Sequence, residues 1–429
     1  MILRDPVHGL VSFETEESSI VPRLLGTREV QRLRRIRQLG LTSFAFPGAE
    51  HTRFSHAVGA AHVMQLLLAR LRQIDQPLPF WQRPTSERGR DAIAAALLHD
   101  VGHGPFSHLF EAVLPGHVRH EVWTTRILLD PSSDVHRELA KGDAGLPQRV
   151  ADLVCGKHDL PYLASAVSGT FDVDRCDYLL RDAHATGVIY GDYDLPWLLR
   201  SLRFDLDRSA GSEAPKLAVD GIKGITAIES FLLARLFMFQ QVYFHKSTRA
   251  AETMIRLILK RAFELLGNGA RLPMVLPAMD AVAHGREVSL DEYLKLDDQE
   301  LLVAMRSWEE ADDHVLADLC RRLSKRALFK TIELGNVESD RPEQEALDIA
   351  RDVASRRGLD PNYYVALDRA SDTPFPRDKN LVVVFPDGRR KSLAEVSFLL
   401  GRLEGQTLSR TRIVYAAELR EELAPALSS

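Results

Sequence analysis

One segment of the chain places histidines and an aspartate where they could hold a metal ion. The apolar run 94–98 ends in His99 and Asp100, and a glycine-rich turn that carries His103 and His108 follows at once. Imidazole nitrogens and carboxylate oxygens together suit Fe, Mn, Co, Zn or Mg and disfavour a site of thiolates alone. An isolated His–Asp dipeptide would be weak support, but this density of histidines among glycines and proline is difficult to explain as a solvated loop.

Two further segments offer the ligands that a mononuclear site still needs. His56 stands at the start of an amphipathic helical pattern, and Asp174 lies in an acid-rich segment that keeps one apolar face. His56 and His99 are 43 residues apart, and Asp100 and Asp174 are 74 residues apart. This order resembles the HD superfamily of metal-dependent phosphohydrolases. The resemblance implies that the metal ligands are His56, His99, Asp100 and Asp174.

Other motifs narrow the resemblance to the deoxynucleoside-triphosphate (dNTP) triphosphohydrolases, over about residues 4–260. In chain order they are DPVHG at 5–9, QRLR at 31–34, RQLG at 37–40, FPG at 46–48, GHGPFSH at 102–108, HE at 120–121, DVDRCDYLLRD at 172–182 and YFHK at 243–246. The resemblance implies hydrolysis of a dNTP to a deoxynucleoside and inorganic triphosphate, by water attack on the α-phosphorus. The implied cofactors are one divalent transition metal (Fe, Mn, Co, Zn or Ni) and Mg²⁺ with the substrate phosphates.

The same resemblance assigns roles beyond the metal ligands. His108 is the expected proton donor to the leaving sugar oxygen, since an imidazole titrates near neutral pH. Glu111 would orient it, and His103 and His120 would contact the phosphates. The expected phosphate-binding cations are Arg53, Arg175, Arg235 and Lys246. The residues expected around the deoxyribose are Gln38, Leu39, Tyr178, Asp182 and Tyr243.

A basic run at 28–37 carries a second expectation. Such a run is usually a solvated helix face, but Gln31 and Arg34 match the family's activator site. The acid that reads guanine in the mammalian relatives is replaced here by Gly26. This change argues against GTP-specific activation and leaves open an activator site for another nucleotide.

The apolar periodicity predicts a mainly α fold, with a helical HD core and a small C-terminal α+β domain. We expect a phosphohydrolase domain at 1–330, with core motifs at 48–182 extending to about 260, and an accessory domain at 331–429. Within the first domain, the pattern at 201–219 predicts a hairpin. In the second, it predicts strands near 327–334, 363–367, 381–385 and 412–415, and helices at 343–357 and 393–403.

Composition sets limits on partners and location. The net charge of −5 disfavours a general nucleic-acid binder, although it allows an anionic small substrate at a locally cationic site. The three cysteines are scattered and odd in number, as in reduced cytosolic proteins. With no signal-peptide pattern at the start and no apolar run long enough for a membrane, a cytoplasmic protein is expected. The family resemblance adds a homo-oligomer (dimer, tetramer or hexamer).

Two other functions stay open at this point. Another HD-type phosphohydrolase, a nucleotidase or phosphodiesterase, would need the metal site but not the full set of cations and sugar-facing residues. A non-catalytic nucleotide sensor would be favoured by a broken ligand set, whereas the set in this chain is intact.

Overall fold

The computed structural model describes residues 1–75, 78–107, 109, 111, 118–169, 171–206, 214–334, 343–376 and 381–428. Helices hold 56% of the chain and strands 11%, which confirms the predicted mainly α fold. The helices are α1 (Val21–Leu25), α2 (Arg28–Arg32), α3 (Arg53–Arg72), α4 (Ser86–Leu98), α5 (His120–Leu129), α6 (Asp134–Ala140), α7 (Leu146–Val154), α8 (Pro161–Val167), α9 (Val173–Thr186), α10 (Leu195–Arg200), α11 (Ile225–Met238), α12 (Lys246–Gly267), α13 (Pro277–Ala283), α14 (Leu290–Leu294), α15 (Asp298–Ser307), α16 (His314–Ser324), α17 (Glu343–Arg356), α18 (Pro361–Tyr364), α19 (Leu393–Val396), α20 (Phe398–Leu403) and α21 (Arg420–Ser428).

Nine strands form three small sheets in the described part of the chain. They are β1 (Ile2–Asp5), β2 (Gly9–Ser12), β3 (Leu202–Asp205), β4 (Lys216–Asp220), β5 (Lys330–Glu333), β6 (Val365–Asp372), β7 (Val382–Val384), β8 (Arg390–Ser392) and β9 (Leu408–Tyr415). Strands β1 and β2 form an antiparallel hairpin, the second sheet has the order β3-β4-β7-β8, and the third has the order β5-β9-β6.

Three helices, α3, α4 and α9, position the candidate site. Helices α4 and α9 both pack against α3, and their apolar faces are buried. The side chain of Thr85 caps the start of α4 by accepting from the backbone N–H of Arg88, and Asp172 caps α9 in the same way. Gly187, in the left-handed conformation with φ of 75°, ends α9. The metal motifs therefore stand at defined helix ends.

The second sheet connects the two regions that the sequence pattern separates. The predicted hairpin is present as β3 and β4, and β4 pairs in parallel with β7 from the C-terminal region. The division at residue 330 stays a prediction. The helix expected at 393–403 is instead two short helices, because Ser397 has extended backbone and its side chain caps the second one.

One helical stretch is longer and more apolar than the sequence pattern suggested. The π-helical turn Phe239–Tyr243 continues α11, and by length and composition alone Ile225–Tyr243 qualifies as a candidate membrane span, although 44% of its apolar stretch is buried inside the protein. Core helices of globular proteins meet the same criterion. Arg235 within this stretch is buried and pairs with Asp372 of β6.

Candidate metal centre and active-site cavity

Three of the four predicted metal ligands, His56, His99 and Asp174, bring their ligand atoms within 4.8 Å of one another, and Asp100 lies beside them. The Nε2 atom of His56 lies 3.3 Å from Nε2 of His99 and 3.1 Å from Oδ1 of Asp174. The Nε2 atom of His99 lies 3.4 Å from Oδ1 of Asp100 and 3.5 Å from Oδ1 of Asp174. The two nitrogens and the Asp174 carboxylate are thus close enough to share a single ion, whereas Asp100 adjoins them and forms a second such group with His103 and His120.

Each ligand owes its position to a helix end. His56 stands in the first turn of α3, His99 is the residue that ends α4, and Asp174 stands in the first turn of α9. Asp100 follows His99 directly, so the end of α4 delivers a nitrogen and an oxygen ligand together. The motifs are far apart in the sequence but lie close together in the structure, because α4 and α9 both pack on α3.

Each imidazole is held in place by a hydrogen bond from Nδ1, the nitrogen that faces away from the site. Nδ1 of His56 lies 2.8 Å from Oδ2 of Asp177, and Nδ1 of His99 lies 2.8 Å from the carbonyl oxygen of Ala96. Since a carboxylate and a carbonyl only accept, each Nδ1 carries the hydrogen and each Nε2 faces the site. Histidines that ligate metals are usually oriented in this way.

The electrostatics of the group favour a cation. Burial lowers the pKa values of His56 and His99, but the neighbouring carboxylates outweigh it and raise them to about 10 and about 9. Burial raises the pKa of Asp174, and contact with the two imidazoles brings it below its usual value. The carboxylates therefore require positive charge between them. A divalent ion fits this requirement and this N₂O₂ donor set.

A second group of histidines and acids adjoins the first. Nε2 of His103 lies 3.2 Å from Oδ1 of Asp100, and its ring stacks on that of His120 with centroids 3.7 Å apart. Nδ1 of His120 lies 3.0 Å from Oε1 of Glu111. Burial and the charge of Arg53 lower the pKa of His103 well below its usual value. His108, the expected proton donor, lies outside the described residues.

A cavity of about 550 Å³ opens beside the two groups. Six of the predicted substrate residues line it: Gln38, Leu39, Arg53, Tyr178, Asp182 and Tyr243. Arg53 is buried, forms an ion pair with Asp100 and donates to Oγ of Ser107. This volume is in the range of small-molecule sites.

Asp182 is the polar centre of the wall expected to face the sugar. Its Oδ2 accepts from the hydroxyl of Tyr243 at 2.8 Å, and its Oδ1 lies 2.8 Å from Nε2 of His51. Burial and the adjacent Asp182 charge raise the pKa of Tyr243, so its hydroxyl stays protonated and donates. His51 is therefore a hydrogen-bond partner of a predicted site residue.

Three of the predicted phosphate-binding cations do not line this cavity. Arg175 forms an ion pair with Asp172, the residue that caps the start of α9. Nη2 of Arg235 lies 3.3 Å from Oδ2 of Asp372. Lys246 is exposed and lines a separate cavity of about 430 Å³. That second cavity also carries three further cations: Arg326, Lys330 and Arg420. Two of the three are thus engaged with acids, and the third faces elsewhere.

The two residues of the expected activator site lie together. Nε of Arg34 donates to Oε1 of Gln31 at 2.9 Å, and the amide of Gln31 donates to the carbonyl of Leu25 at 2.6 Å. The exposed Arg34 guanidinium stacks on the ring of Phe54. Binding of an activator nucleotide at this site remains a prediction.

Sequence patterns did not indicate a set of charged residues from α12 at the cavity. They are Arg249, Glu252 and Arg256, with Thr248 beside them. Asp368 of β6 binds both arginines, at 2.5 Å from Nη2 of Arg249 and 3.0 Å from Nη2 of Arg256. The helical spacing of 249, 252 and 256 puts them on one face, which is the signal that could have found them.

Three buried residues support the turn after Asp100, and no sequence pattern predicted that role for them. Nη2 of Arg32 donates to the carbonyl of His103 at 2.7 Å, and the hydroxyl of Tyr293 donates to that of Gly102 at 2.6 Å. The backbone N–H of Phe106 donates to Oδ1 of Asp298 at 2.7 Å. Phe106 has a φ of 51°, a left-handed conformation that a non-glycine residue keeps only when its surroundings hold it.

Comparison with known proteins gives two family matches. A model of the HD domain matches residues 53–182, and a model of the HD associated region matches 208–272 and 270–427. An uncharacterised protein of Bacillus subtilis, YwfO, is 35% identical over 97% of this chain and 92% of that protein. The chicken deoxynucleoside triphosphate triphosphohydrolase SAMHD1 is 26% identical over 83% of this chain and 60% of that protein.

A solved structure matches over almost the whole length. A phosphohydrolase of Bacteroides thetaiotaomicron superposes with a TM-score of 0.80 at 28% sequence identity, covering 97% of this chain and 99% of that one. The similarity therefore includes the C-terminal region as well as the helices that carry the ligands.

Proposed function

The chain belongs to the family of HD-domain proteins that carry the HD associated region, and from that premise we propose that it hydrolyses dNTPs to a deoxynucleoside and inorganic triphosphate. At the coarser level it is an HD-type phosphohydrolase. The finer assignment is supported by one observation above the others. Two of the candidate ligands, Asp100 and Asp174, line a cavity whose lining also includes Asp182 and Tyr243.

The positions of the side chains indicate the role of each one in the proposed reaction. A divalent transition ion held by His56, His99, Asp100 and Asp174 would supply Lewis acidity and a bound water of lowered pKa. Arg53, buried beside Asp100, offers a guanidinium to a phosphate oxygen at the point nearest the ligands. His103 and His120, whose rings stack on each other next to it, would contact the same phosphates, as the family resemblance implies.

The sugar-facing wall supports a deoxyribose. Each oxygen of Asp182 has one partner and keeps a lone pair, so the carboxylate can accept a hydrogen bond from a 3′-hydroxyl. The rings of Tyr178 and Tyr243 meet edge to face with centroids 6.4 Å apart. Leu39 adds an apolar surface. A 2′-hydroxyl against such a surface would lose its hydration without a partner, which disfavours ribose.

A second candidate, hydrolysis of a smaller or cyclic phosphoester, is favoured by the state of the cations. Arg235 and Arg249 are engaged by acids of β6, and Lys246 faces another cavity. A substrate with fewer phosphates would need fewer of these cations. The proposal also includes four features that rest on the family resemblance alone: Mg²⁺ with the substrate phosphates, an activator nucleotide at Gln31 and Arg34, a homo-oligomer and a cytoplasmic location.

Product analysis tests the proposal. Metal-loaded protein is incubated with each dNTP, alone and in pairs, and with the matching ribonucleotides, and the products are separated by ion exchange. Release of intact triphosphate from dNTPs but not from ribonucleotides is the expected result. Orthophosphate or pyrophosphate as the product would favour the second candidate. No turnover of any nucleotide by metal-loaded protein would favour a nucleotide sensor.

A further inference from the structure

A chain of hydrogen bonds leads from the N-terminal hairpin to the ligand His56. Nε2 of His8 lies 2.6 Å from Oδ1 of Asp177, and Oδ2 of Asp177 lies 2.8 Å from Nδ1 of His56. The side chain of His8 is 5% exposed, and those of Asp177 and His56 are fully buried. Because the carboxylate only accepts, both histidines donate to it. The donation from Nδ1 leaves Nε2 of His56 to face the metal.

Arg181 completes the surroundings of Asp177. Its Nε and Nη2 atoms each lie 2.8 Å from one carboxylate oxygen, and its Nη1 lies 2.8 Å from Oδ2 of Asp5. Burial alone would raise the pKa of Asp177, but Arg181 and the two histidines hold it well below its usual value. The carboxylate stays charged, and its orientation is set by donors from two sides.

The hairpin is folded so that it delivers His8 to this point. Oδ1 of Asp5 accepts from the backbone N–H groups of Val7 and His8, at 2.9 Å each, and forms the tight turn between β1 and β2. Gly9 follows in the left-handed conformation with φ of 72°. Asp5 therefore both shapes the turn and binds Arg181, which joins the hairpin to α9.

Helix α3 leaves space for this arrangement. A Cβ atom on Gly59 would lie 1.9 Å from Oδ1 of Asp177 and 2.3 Å from Nη2 of Arg181. Any side chain at position 59 would displace the carboxylate from between the two histidines. Three separate segments, the hairpin, α3 and α9, are thus fitted to one buried carboxylate behind a metal ligand.

We propose that His8 is a positioning residue of the metal centre, which fixes the orientation of His56 through Asp177. The N-terminal hairpin, which precedes the matched HD domain at 53–182, is then a structural part of that centre. The inference rests on the metal site of the proposed function and does not depend on which phosphoester is cleaved. Partners behind a ligating histidine typically change metal affinity by about 10- to 100-fold when they are removed.

The test compares metal binding by variants of similar size that differ in the donor. Metal-free protein is titrated with Co²⁺ against a chelator, and the visible absorption of bound Co²⁺ reports the ligand geometry. We expect His8→Leu to bind Co²⁺ about 10- to 100-fold more weakly with an altered spectrum. His8→Gln, which can still donate to Asp177, should remain within about threefold of the wild type. His184→Leu and His184→Gln are controls, because His184 is exposed and lines the cavity next to His8.

Equal affinity and an unchanged spectrum in His8→Leu and His8→Gln would overturn the inference. So would the loss of folding in both variants, since His8 would then support the fold and not the ligand. If only His8→Leu fails to fold, His8→Asn, whose shorter amide falls short of Asp177, is compared with His8→Gln, and equal affinities again overturn the inference. Absence of Co²⁺ binding by the wild type would instead contradict the metal site itself.

Discussion

Asp174 is the ligand whose loss should affect the centre most directly. Its Oδ1 lies 3.1 Å and 3.5 Å from the Nε2 atoms of His56 and His99, so one oxygen faces both imidazoles. We expect Asp174→Ala to lose bound metal and hydrolytic activity together, because the remaining donors cannot balance a divalent charge. Metal per chain is measured by mass spectrometry beside the product assay. Asp159→Ala, at an exposed acid, is the control; full activity in metal-free Asp174→Ala would contradict the ligand assignment.

Asp182 should act on substrate selection and not on metal binding. Removing a charged hydrogen-bond partner costs about 1.5–3 kcal/mol, so Asp182→Ala is expected to lower kcat/KM for dNTPs by roughly 10- to 100-fold. Tyr243→Phe, which removes one donor to Asp182, should have a smaller effect in the same direction. Steady-state kinetics with metal-loaded variants measure both. Unchanged kinetics in Asp182→Ala would remove it from the sugar site.

The candidate ligands could be selected from the sequence, whereas the residues that contact them from behind could not. His99 and Asp100 are adjacent, and their motif signals its chemistry locally. Asp177 is only one of several acids in its segment, and its partner His8 is 169 residues away. Arg32 belongs to a basic run that is typical of a solvated face, yet it is 1% exposed and donates to backbone carbonyls. Such roles depend on which segments pack together.

The turn that carries His103 is held by elements far along the chain. The hydroxyl of Tyr293 donates to Gly102, and its ring stacks on Trp123 with centroids 3.8 Å apart. Tyr293→Phe keeps the stacking and leaves a buried carbonyl without this donor, so we expect a loss of about 1–3 kcal/mol in the free energy of unfolding. Urea denaturation measures it, with Tyr190→Phe, at a partly exposed hydroxyl, as the control. Identical stability of Tyr293→Phe and wild type would show that the turn does not depend on this bond.

Asp298, at the start of α15, makes the stability that this turn contributes to the fold depend on pH. Its two oxygens accept from the backbone N–H groups of Phe106 and Arg37, but burial outweighs these bonds and raises its pKa to about 6. A carboxyl whose pKa is higher in the folded state takes up its proton on folding. This group therefore stabilises the fold below about pH 4 and loses that contribution as the pH rises through about 6.

Asp298→Asn should remove this contribution. Between pH 7 and pH 4 the wild type should gain on the order of 2 kcal/mol in unfolding free energy relative to Asp298→Asn, since one pKa unit corresponds to about 1.36 kcal/mol. Urea denaturation of both proteins at several pH values measures the difference, and subtraction cancels the groups that they share. Parallel pH profiles would mean that Asp298 titrates normally.

The apolar periodicity of the sequence predicted individual helices and strands better than it predicted which strands pair. The mainly helical core that the periodicity predicted includes the long helices α3 and α12, and the hairpin predicted at 201–219 corresponds to β3 and β4. The pairing of β4 with β7 joins residues 218–220 to 382–384. No local pattern could predict that pairing, because both strands are short and lie far apart in the sequence.

The C-terminal region reaches the candidate site through the acids of one strand. Asp368 binds Arg249 and Arg256, and Asp372 lies 3.3 Å from Nη2 of Arg235. Both acids stand on β6, which pairs with β9 along eight residues of register. Of the cations that the family resemblance assigns to phosphates, Arg235 is therefore paired with an acid from the region beyond residue 330. A bound triphosphate would compete with these carboxylates for the arginines.

Removing the charge of Asp372 should therefore strengthen the binding of an anion. The guanidinium of Arg235 is buried near Phe239, which lines the cavity. Asp372→Asn keeps the shape of the side chain and removes its charge, so we expect about tenfold tighter binding of inorganic triphosphate, from about 1–4 kcal/mol of competing attraction. Calorimetry on metal-loaded protein measures the affinity without any turnover. Asp387→Asn, which removes an exposed acid paired with Arg389, is the matched control. Equal or weaker binding by Asp372→Asn than by this control would mean that Arg235 does not meet the phosphates and that β6 only supports the fold.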